Sequence, residues 1–497
     1  MPENLKTPGV YIVEKHSGAN AIVQGATAVP VFIGFTEKAE VNGVSFHMKP
    51  VIVSSLSEFE IFFGGAPKPV FTVKEADEKH DVDLAINGVK YCLEQSKNTS
   101  FLLYNSLKLF FDNGGSDCYI ISIGQYGTNP DGLEITPDNF KKAIDLLEGE
   151  EVPTMLLMPD SLLLNEDDSS YYSVQTYALQ HCADAMNKVA LFDIWGANKE
   201  QPLGVDKNKY VTRFRENIGL DNLSYGAAYY PWLKTNVISL NDIDYTYFDL
   251  NSLVDLINAD HRSILQNIIN AESEKEKRYW DAGLKNASPE YKLLRKTIAD
   301  RLCVLPAAPA MAGLYTRTDK SKGVWIAPAN QNLNSVIAPT VRITHKEQEN
   351  LNVDGISGKS INAIRAFKGR GSAIVWGART LAGNSVEWRY INVRRLFIVI
   401  EQSIKNAAFS VVFKPNVPLT WSVVKASISN FLTSLWRQGA LVGATPSEAF
   451  EVGCGLGETM SQNDVNEGIM RIQVKAAPSR PAEFIVISFE QKMGTEG

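Results

Sequence analysis

Six histidines, His16, His47, His80, His181, His261 and His345, are the side chains here best suited to metal ligation or proton transfer, and they are scattered singly. No HExxH pair or close cluster occurs, so the chain offers no local nucleus for a metal site, which needs several ligands converging on one ion. Gly358-Lys359-Ser360 has the ending of a phosphate-binding loop, but Val353 stands where that motif needs its first glycine. It reads as a surface turn. Gly369-Arg370-Gly371-Ser372 lacks the flanking glycines that let a nucleophilic serine turn tightly. The turn Ile123-Gly124-Gln125-Tyr126-Gly127 lacks the third glycine and the helix start of a dinucleotide loop. Carboxylates are plentiful, yet no spacing singles out an acid–base pair. The expectation is a chain with no catalytic residue, no cofactor and no metal.

Composition narrows the classes further. A chain of 497 residues exceeds what one hydrophobic core serves, so about two to four domains are expected. With 44% hydrophobic and 21% charged residues and a net charge of -7, it is globular and unsuited to direct nucleic-acid binding, which needs a basic surface. Cys92, Cys118, Cys182, Cys303 and Cys454 are odd in number and form no CxxC pair, which points to reduced thiols and assembly in a cytosol. The start has no signal-peptide pattern, and apolar runs such as Phe397 to Ile400 fall far short of a membrane span, so no direct membrane contact is expected.

The elements that must position these residues alternate in the central region. Ala28 to Phe35 reads as a buried strand, followed by helices over Ser54–Phe63, Val82–Gln95 and Ser100–Asp112. From Tyr119 to about Tyr230, apolar strands at Tyr119–Ile123, Thr154–Met158, Val189–Ile194 and Ser224–Tyr229 alternate with helices at Asn139–Leu147, Tyr171–Met186 and Lys207–Glu216. Such alternation predicts a doubly wound parallel sheet. Asp249 to Leu302 is helical, with the mixed-charge run Glu272–Arg278 on a solvated face, and Leu305 to Trp376 reads as loop-rich. Leu419 to Gln438 carries Trp421, Val424, Ile428, Phe431, Leu432 and Leu435 as one helical stripe, the pattern of a core helix.

Both ends read as strands with nothing beside them in sequence to pair with. Thr7 to Glu14 and Pro481 to Phe489 are rich in β-branched and aromatic residues, and each contains a proline early in the run, Pro8 and Pro481. Such a strand must find a sheet edge in its own subunit or in a neighbour. Val10 and Ile12 face opposite to Tyr11 and Val13. Phe484, Val486 and Ser488 face opposite to Ile485, Ile487 and Phe489, so a one-residue slip would exchange faces.

Several stretches resemble the sheath proteins of contractile phage tails and phage-tail-like injection systems. They are TPGVYIVE from Thr7, FFDNGGSDCYIISI from Phe110, GLYTRTDKSKGVWIAPAN from Gly313, INAIRAFKGRG from Ile361, VWGARTL from Val375, EWRYINVRRLFIVIEQSI from Glu387, LWRQGALVGATPSEAF from Leu435 and RPAEFIVISF from Arg480. They cover both ends and the carboxyl-terminal third, while Ser357 to Ser360 looks like a small insertion.

The resemblance implies a mixed α/β (α+β) multi-domain sheath subunit. Its expected parts are a strand arm over 1–25, a first core segment over 26–118 and an inserted outer α/β domain over 119–304. A loop-rich connecting region over 305–386, an inner domain facing the tube over 387–478 and a second arm over 479–497 complete it. The implied function is structural: stacked six-membered rings around an inner tube, contracting to drive that tube through an envelope without a nucleotide. The implied partners are further copies of the chain, the inner tube protein, and baseplate and terminator proteins, in a particle assembled in the bacterial cytoplasm. Val10, Tyr11, Ile12, Val13, Phe484, Ile485, Val486, Ile487 and Phe489 would make the inter-subunit strands, and Lys425 and Arg437 are candidate tube contacts. Trp388, Arg389, Tyr390, Arg394 and Arg395 match the family's central signature, with packing and ion pairing as their expected roles. The rival readings are an enzyme built on the central α/β domain and a non-contractile tail or capsid component.

Overall fold

A computed structural model describes residues 22–77, 82–95, 101–127, 134–164, 169–198 and 209–484. The chain divides into two compact units, one of residues 26–398 and 480–497, the other of residues 1–25 and 399–479.

The larger unit is built on an eight-stranded sheet. Its order is Gly371–Val375, Asn362–Phe367, Gly226–Tyr230, Val189–Asp193, Met155–Leu157, Pro30–Thr36, Cys118–Gln125 and Val51–Val53. The six inner strands are parallel and the two edge strands antiparallel. Parallel strands are covered on both faces and so read as apolar runs without alternation. Pro30–Thr36 is buried at every position, with Val31, Ile33 and Phe35 in one core and Phe32 in the other. The helices Pro137–Asp145, Ser170–Ala185 and Lys209–Asn217 cover the first face, and Leu56–Phe63, Leu103–Asp112 and Ala308–Lys322 cover the second. The doubly wound series expected from 119 to 230 is present, each element within a few residues of its predicted span. The sheet takes strands from both sides of residue 118, since Pro30–Thr36 pairs with Cys118–Gln125 and Met155–Leu157.

Three expectations fail for physical reasons. Val82–Gln95 is a hairpin, Leu84–Ile86 with Val89–Gln95, rather than a helix. Asn87 and Gly88 take φ of 50° and 86°, the left-handed pair a two-residue hairpin turn requires, and that Asn-Gly signal outweighs the helical spacing. Leu305–Trp376 is not loop-rich, because it contains the 15-residue helix Ala308–Lys322, buried from Ala308 through Thr316, and the helix His345–Asn352. A helix enclosed all round shows no amphipathic period, and Pro309 sits in its first turn, where proline is tolerated. Lys359 and Ser360 are buried rather than on a surface turn. Lys359 donates to the Arg215 carbonyl and Arg215 Nε to the Lys359 carbonyl at 3.0 Å.

A lobe with its own core grows from this unit. The antiparallel strands Phe71–Glu75, Val89–Gln95 and Leu84–Ile86 pack with the helices Ala259–Asn270, Glu274–Ala287 and Pro289–Leu302 around Phe71, Leu253, Leu284 and Tyr291. Glu274, Lys275 and Glu276 lie on the solvated face, as the charge run predicts.

In the smaller unit, the helix Pro418–Arg437 buries Trp421, Val424, Ile428, Phe431, Leu432 and Leu435, the stripe read from sequence. It ends where Gly439, at φ of 82°, turns the chain and Ala440 N–H reaches back to the Leu435 carbonyl at 3.0 Å. Phe450–Gly453 and Gln473–Ala476 form a two-stranded antiparallel sheet beside the small core of Trp421, Cys454 and Met460.

Candidate assembly site at the roots of the terminal segments

Of the proposed arm residues, Val10, Tyr11, Ile12, Val13, Ile485, Val486, Ile487 and Phe489 lie outside the described residues. Phe484 is the last described residue and is 71% exposed. What the structure does describe is the root of each terminal segment.

The carboxyl-terminal root is Glu483. Its carboxylate receives Arg379 Nε at 3.0 Å and Nη2 at 2.6 Å, Asn352 Nδ2 at 2.9 Å and the Tyr390 hydroxyl at 3.1 Å. Arg379 is buried, and its Nη1 also donates to the Asn352 carbonyl at 3.1 Å. The motifs singled out in sequence supply this geometry. Asn362, from Ile361-Asn362, accepts the Arg379 N–H at 2.7 Å and donates to its carbonyl at 2.8 Å, which fixes Arg379 from both sides. Gly377 is required here, since a Cβ would stand 2.7 Å from Asn362 Oδ1. Burial pushes the Glu483 carboxyl up, but the hydrogen bonds from Arg379 and Asn352 outweigh it and hold the group below the ordinary glutamate range.

The amino-terminal root is the Thr27 carbonyl. It accepts from Arg395 Nη2 at 2.8 Å and from Thr154 Oγ1 at 3.0 Å. Arg395 is simultaneously paired with Asp319 at 3.1 and 2.5 Å, and both side chains are only 3% exposed. Its guanidinium lies 4.6 Å from the Tyr315 ring centre. Arg394 stacks instead on Trp388 and Tyr225, at 3.5 and 4.3 Å. The signature residues Trp388, Tyr390, Arg394 and Arg395 thus pack and pair within the larger unit.

Lys425 and Arg437 stand on one helix but are not brought together. Lys425 makes a half-exposed ion pair with Glu458 at 2.9 Å, and Arg437 is exposed in the last turn.

At the carboxyl ends of the parallel strands, where doubly wound folds hold ligands, this chain has placed its own carboxylates. Asp160 accepts from Phe35, Leu102 and Leu103 N–H at 2.7, 2.6 and 3.2 Å. Asp193 accepts from Ala307 and Ala308 N–H at 2.6 and 3.0 Å, capping the helix Ala308–Lys322 from a distant strand. Burial raises Asp160 to about 6 and Asp193 to about 7, against the opposing pull of these amides. The cavity beside Asp193 has a volume of about 10 Å³, room for roughly one water. A nucleotide phosphate at this helix start would meet a buried carboxylate in a space it cannot enter. Among the described residues no group of three or more histidine, cysteine or acidic side chains converges as metal ligands.

Sequence reasoning missed Glu483, Arg379 and Asn352. The visible signal was a glutamate directly ahead of an apolar run, with Arg379 inside one of the matched motifs.

Comparison with known proteins agrees with these observations. Residues 384–492 match the phage tail sheath C-terminal domain. The chain is 29% identical over 207 residues to the tail sheath protein of Vibrio phage KVP40, a match that covers 40% of this chain and spans only 28% of that relative's length. Among solved structures it is similar to the sheath complex of PVC, an extracellular contractile injection system, in the contracted state, with 26% identity, TM-score 0.61 and 98% of each chain covered. It is likewise similar to a chain of the six-fold symmetrised baseplate of the anti-feeding prophage, with 28% identity, TM-score 0.58, and 98% of this chain and 99% of that one covered. Its carboxyl-terminal part thus matches the phage tail sheath C-terminal domain, and over 98% of its length its fold is similar to that of a chain from a contracted contractile injection system sheath.

Proposed function

We propose that this protein is the structural subunit of a contractile sheath. The observation that carries the reading is the match over 98% of the chain to the contracted PVC sheath complex, since a shared catalytic domain would not extend through both units. Copies stack as rings of six around an inner tube and dock on a baseplate, a reading supported by the similarity to the six-fold baseplate chain. The terminal strands, Val10 to Val13 and Phe484 to Phe489, join neighbouring copies by strand addition. The sheet of Phe450–Gly453 and Gln473–Ala476 is a suitable acceptor, because among the described residues neither of its edges has a third strand. Each added backbone bond contributes about 0.5–1.5 kcal/mol net, so an arm of several bonds holds firmly while single bonds stay exchangeable. Contraction then passes from a packing held open by tube and baseplate to one with larger subunit interfaces, without a nucleotide. The Asp160 and Asp193 carboxylates in the ligand crevice support that last point. Lys425 and Arg437 face the tube in this reading, and terminator proteins close the stack.

Electron microscopy of the purified protein, alone and with its tube protein, tests the proposal. Tubes or stacked rings in two lengths and diameters are expected. Discrete small oligomers under all conditions would sink it.

A further inference from the structure

Glu483 and Thr27 stand close to the two ends of the described chain, and each is held on the same short stretch, Tyr390 to Arg395. Tyr390 donates to Glu483 beside Arg379, and Arg395 donates to Thr27 beside Asp319. Neither arrangement is what local packing alone demands. A carboxylate next to an exposed phenylalanine loses hydration when drawn into a half-buried place, and three separate donors are assembled to offset that loss. Arg395 already has its charge matched by Asp319, yet it directs a further N–H at the backbone of Thr27. The first residues of the helix Ile391–Ala408 are buried, Ile391 to Leu396 all within the core, so the stretch is a rigid support.

We propose that Tyr390–Arg395 is a common anchor for both terminal segments. Tyr390 and Arg379 fix the carboxyl-terminal segment at Glu483, and Arg395 with Asp319 fixes the amino-terminal segment at Thr27. Load that neighbouring copies place on either terminus is delivered to this helix start, with Thr154, directly ahead of the strand Met155–Leu157, sharing the hold on Thr27. The source of that load rests on the sheath reading, but the anchoring is a property of the single subunit.

Hydrogen exchange on the full-length, unassembled protein reads the anchor directly. In Glu483→Ala, amides of residues 482–484 are expected to exchange at least tenfold faster, and in Arg395→Lys those of residues 26–29, with the sheet amides of Ile120 to Ser122 unchanged. Tyr390→Phe, which removes one donor only, should give an intermediate rate at 482–484 and keeps the test valid if the stronger variants fold poorly. Assembled samples should show at least a tenfold loss of intact tubes in Glu483→Ala. Unchanged exchange at both roots would overturn the anchor, as would a rise no larger than that of the sheet. If the wild type forms no tubes but the roots still loosen in the variants, the sheath reading fails and the anchor stands.

Discussion

Arg379 and Glu483 lie 104 residues apart in the chain and meet in a two-pronged ion pair, with the guanidinium 3% and the carboxylate 19% exposed. Removing one partner of a buried pair leaves the other charge without compensation, which costs about 3–5 kcal/mol. Arg379→Ala should therefore lower stability by roughly that amount in urea denaturation. Arg379→Lys should recover part of it, since a lysine keeps the charge and loses the second prong.

The same pair has a defined pH window. The folded-state carboxyl of Glu483 titrates below its unfolded value, so its contribution is present above the ordinary glutamate pKa of about 4.3 and is lost as pH falls further. Stability curves of wild type and Glu483→Gln should run parallel from pH 6 to 8 and converge in acid below about pH 4. Parallel curves throughout would remove the assignment.

Asp193 acts with the opposite sign. Its folded-state pKa is raised to about 7, so folding takes up a proton, and this favourable contribution, complete below the ordinary aspartate value of about 3.9, is lost as pH rises through 7. Asp193→Asn keeps an acceptor for Ala307 and Ala308 and should flatten the decline of stability between pH 4 and 7. Asp193→Ala leaves two buried amides unpaired and should cost about 1–3 kcal/mol for each.

Gly313 sets the approach of two helices. A Cβ there would stand 2.3 Å from the Phe110 carbonyl oxygen and 2.8 Å from the Asn113 Cβ, so neither neighbour can yield without moving the helix Leu103–Asp112. Gly313→Ala should destabilise by about 1–3 kcal/mol despite alanine's better helix propensity. A neutral or stabilising result in thermal melts would contradict the close contact.

The amino-terminal strand is dispensable for folding in the proposed function. Deleting residues 1–14 should leave circular dichroism and melting unchanged and abolish tube formation. Lys425→Glu and Arg437→Glu should likewise fold normally and weaken assembly on the tube alone. Tubes formed by the deletion variant would end the strand-donation reading.

Much of the fold was legible because its physics is local. The stripe from Trp421 to Leu435 and the alternation from Cys118 to Tyr230 follow from burial on one face of a helix or both faces of a sheet. The helix Ala308–Lys322 was not legible, since complete burial erases its period and its cap, Asp193, comes from a strand more than a hundred residues earlier. Asn87-Gly88 carries a local hairpin signal in the sequence, stronger than the helical spacing around it. The terminal segments Thr7 to Glu14 and Pro481 to Phe489 read in sequence as strands without a local partner. Their anchoring did not, because the pairing of Glu483 with Arg379 exists only once Asn362 has clamped the loop that carries Arg379.

Among the described residues, the lobe around Phe71, Leu284 and Tyr291 supplies none of those that hold Glu483 or Thr27. In the proposed sheath it would hang outside the force path, as a balcony does on a frame. In that proposed assembly its outer turns, such as the exposed Glu272 and Ser273 between two helices, are the places where foreign sequence could be inserted without touching the roots of the terminal segments.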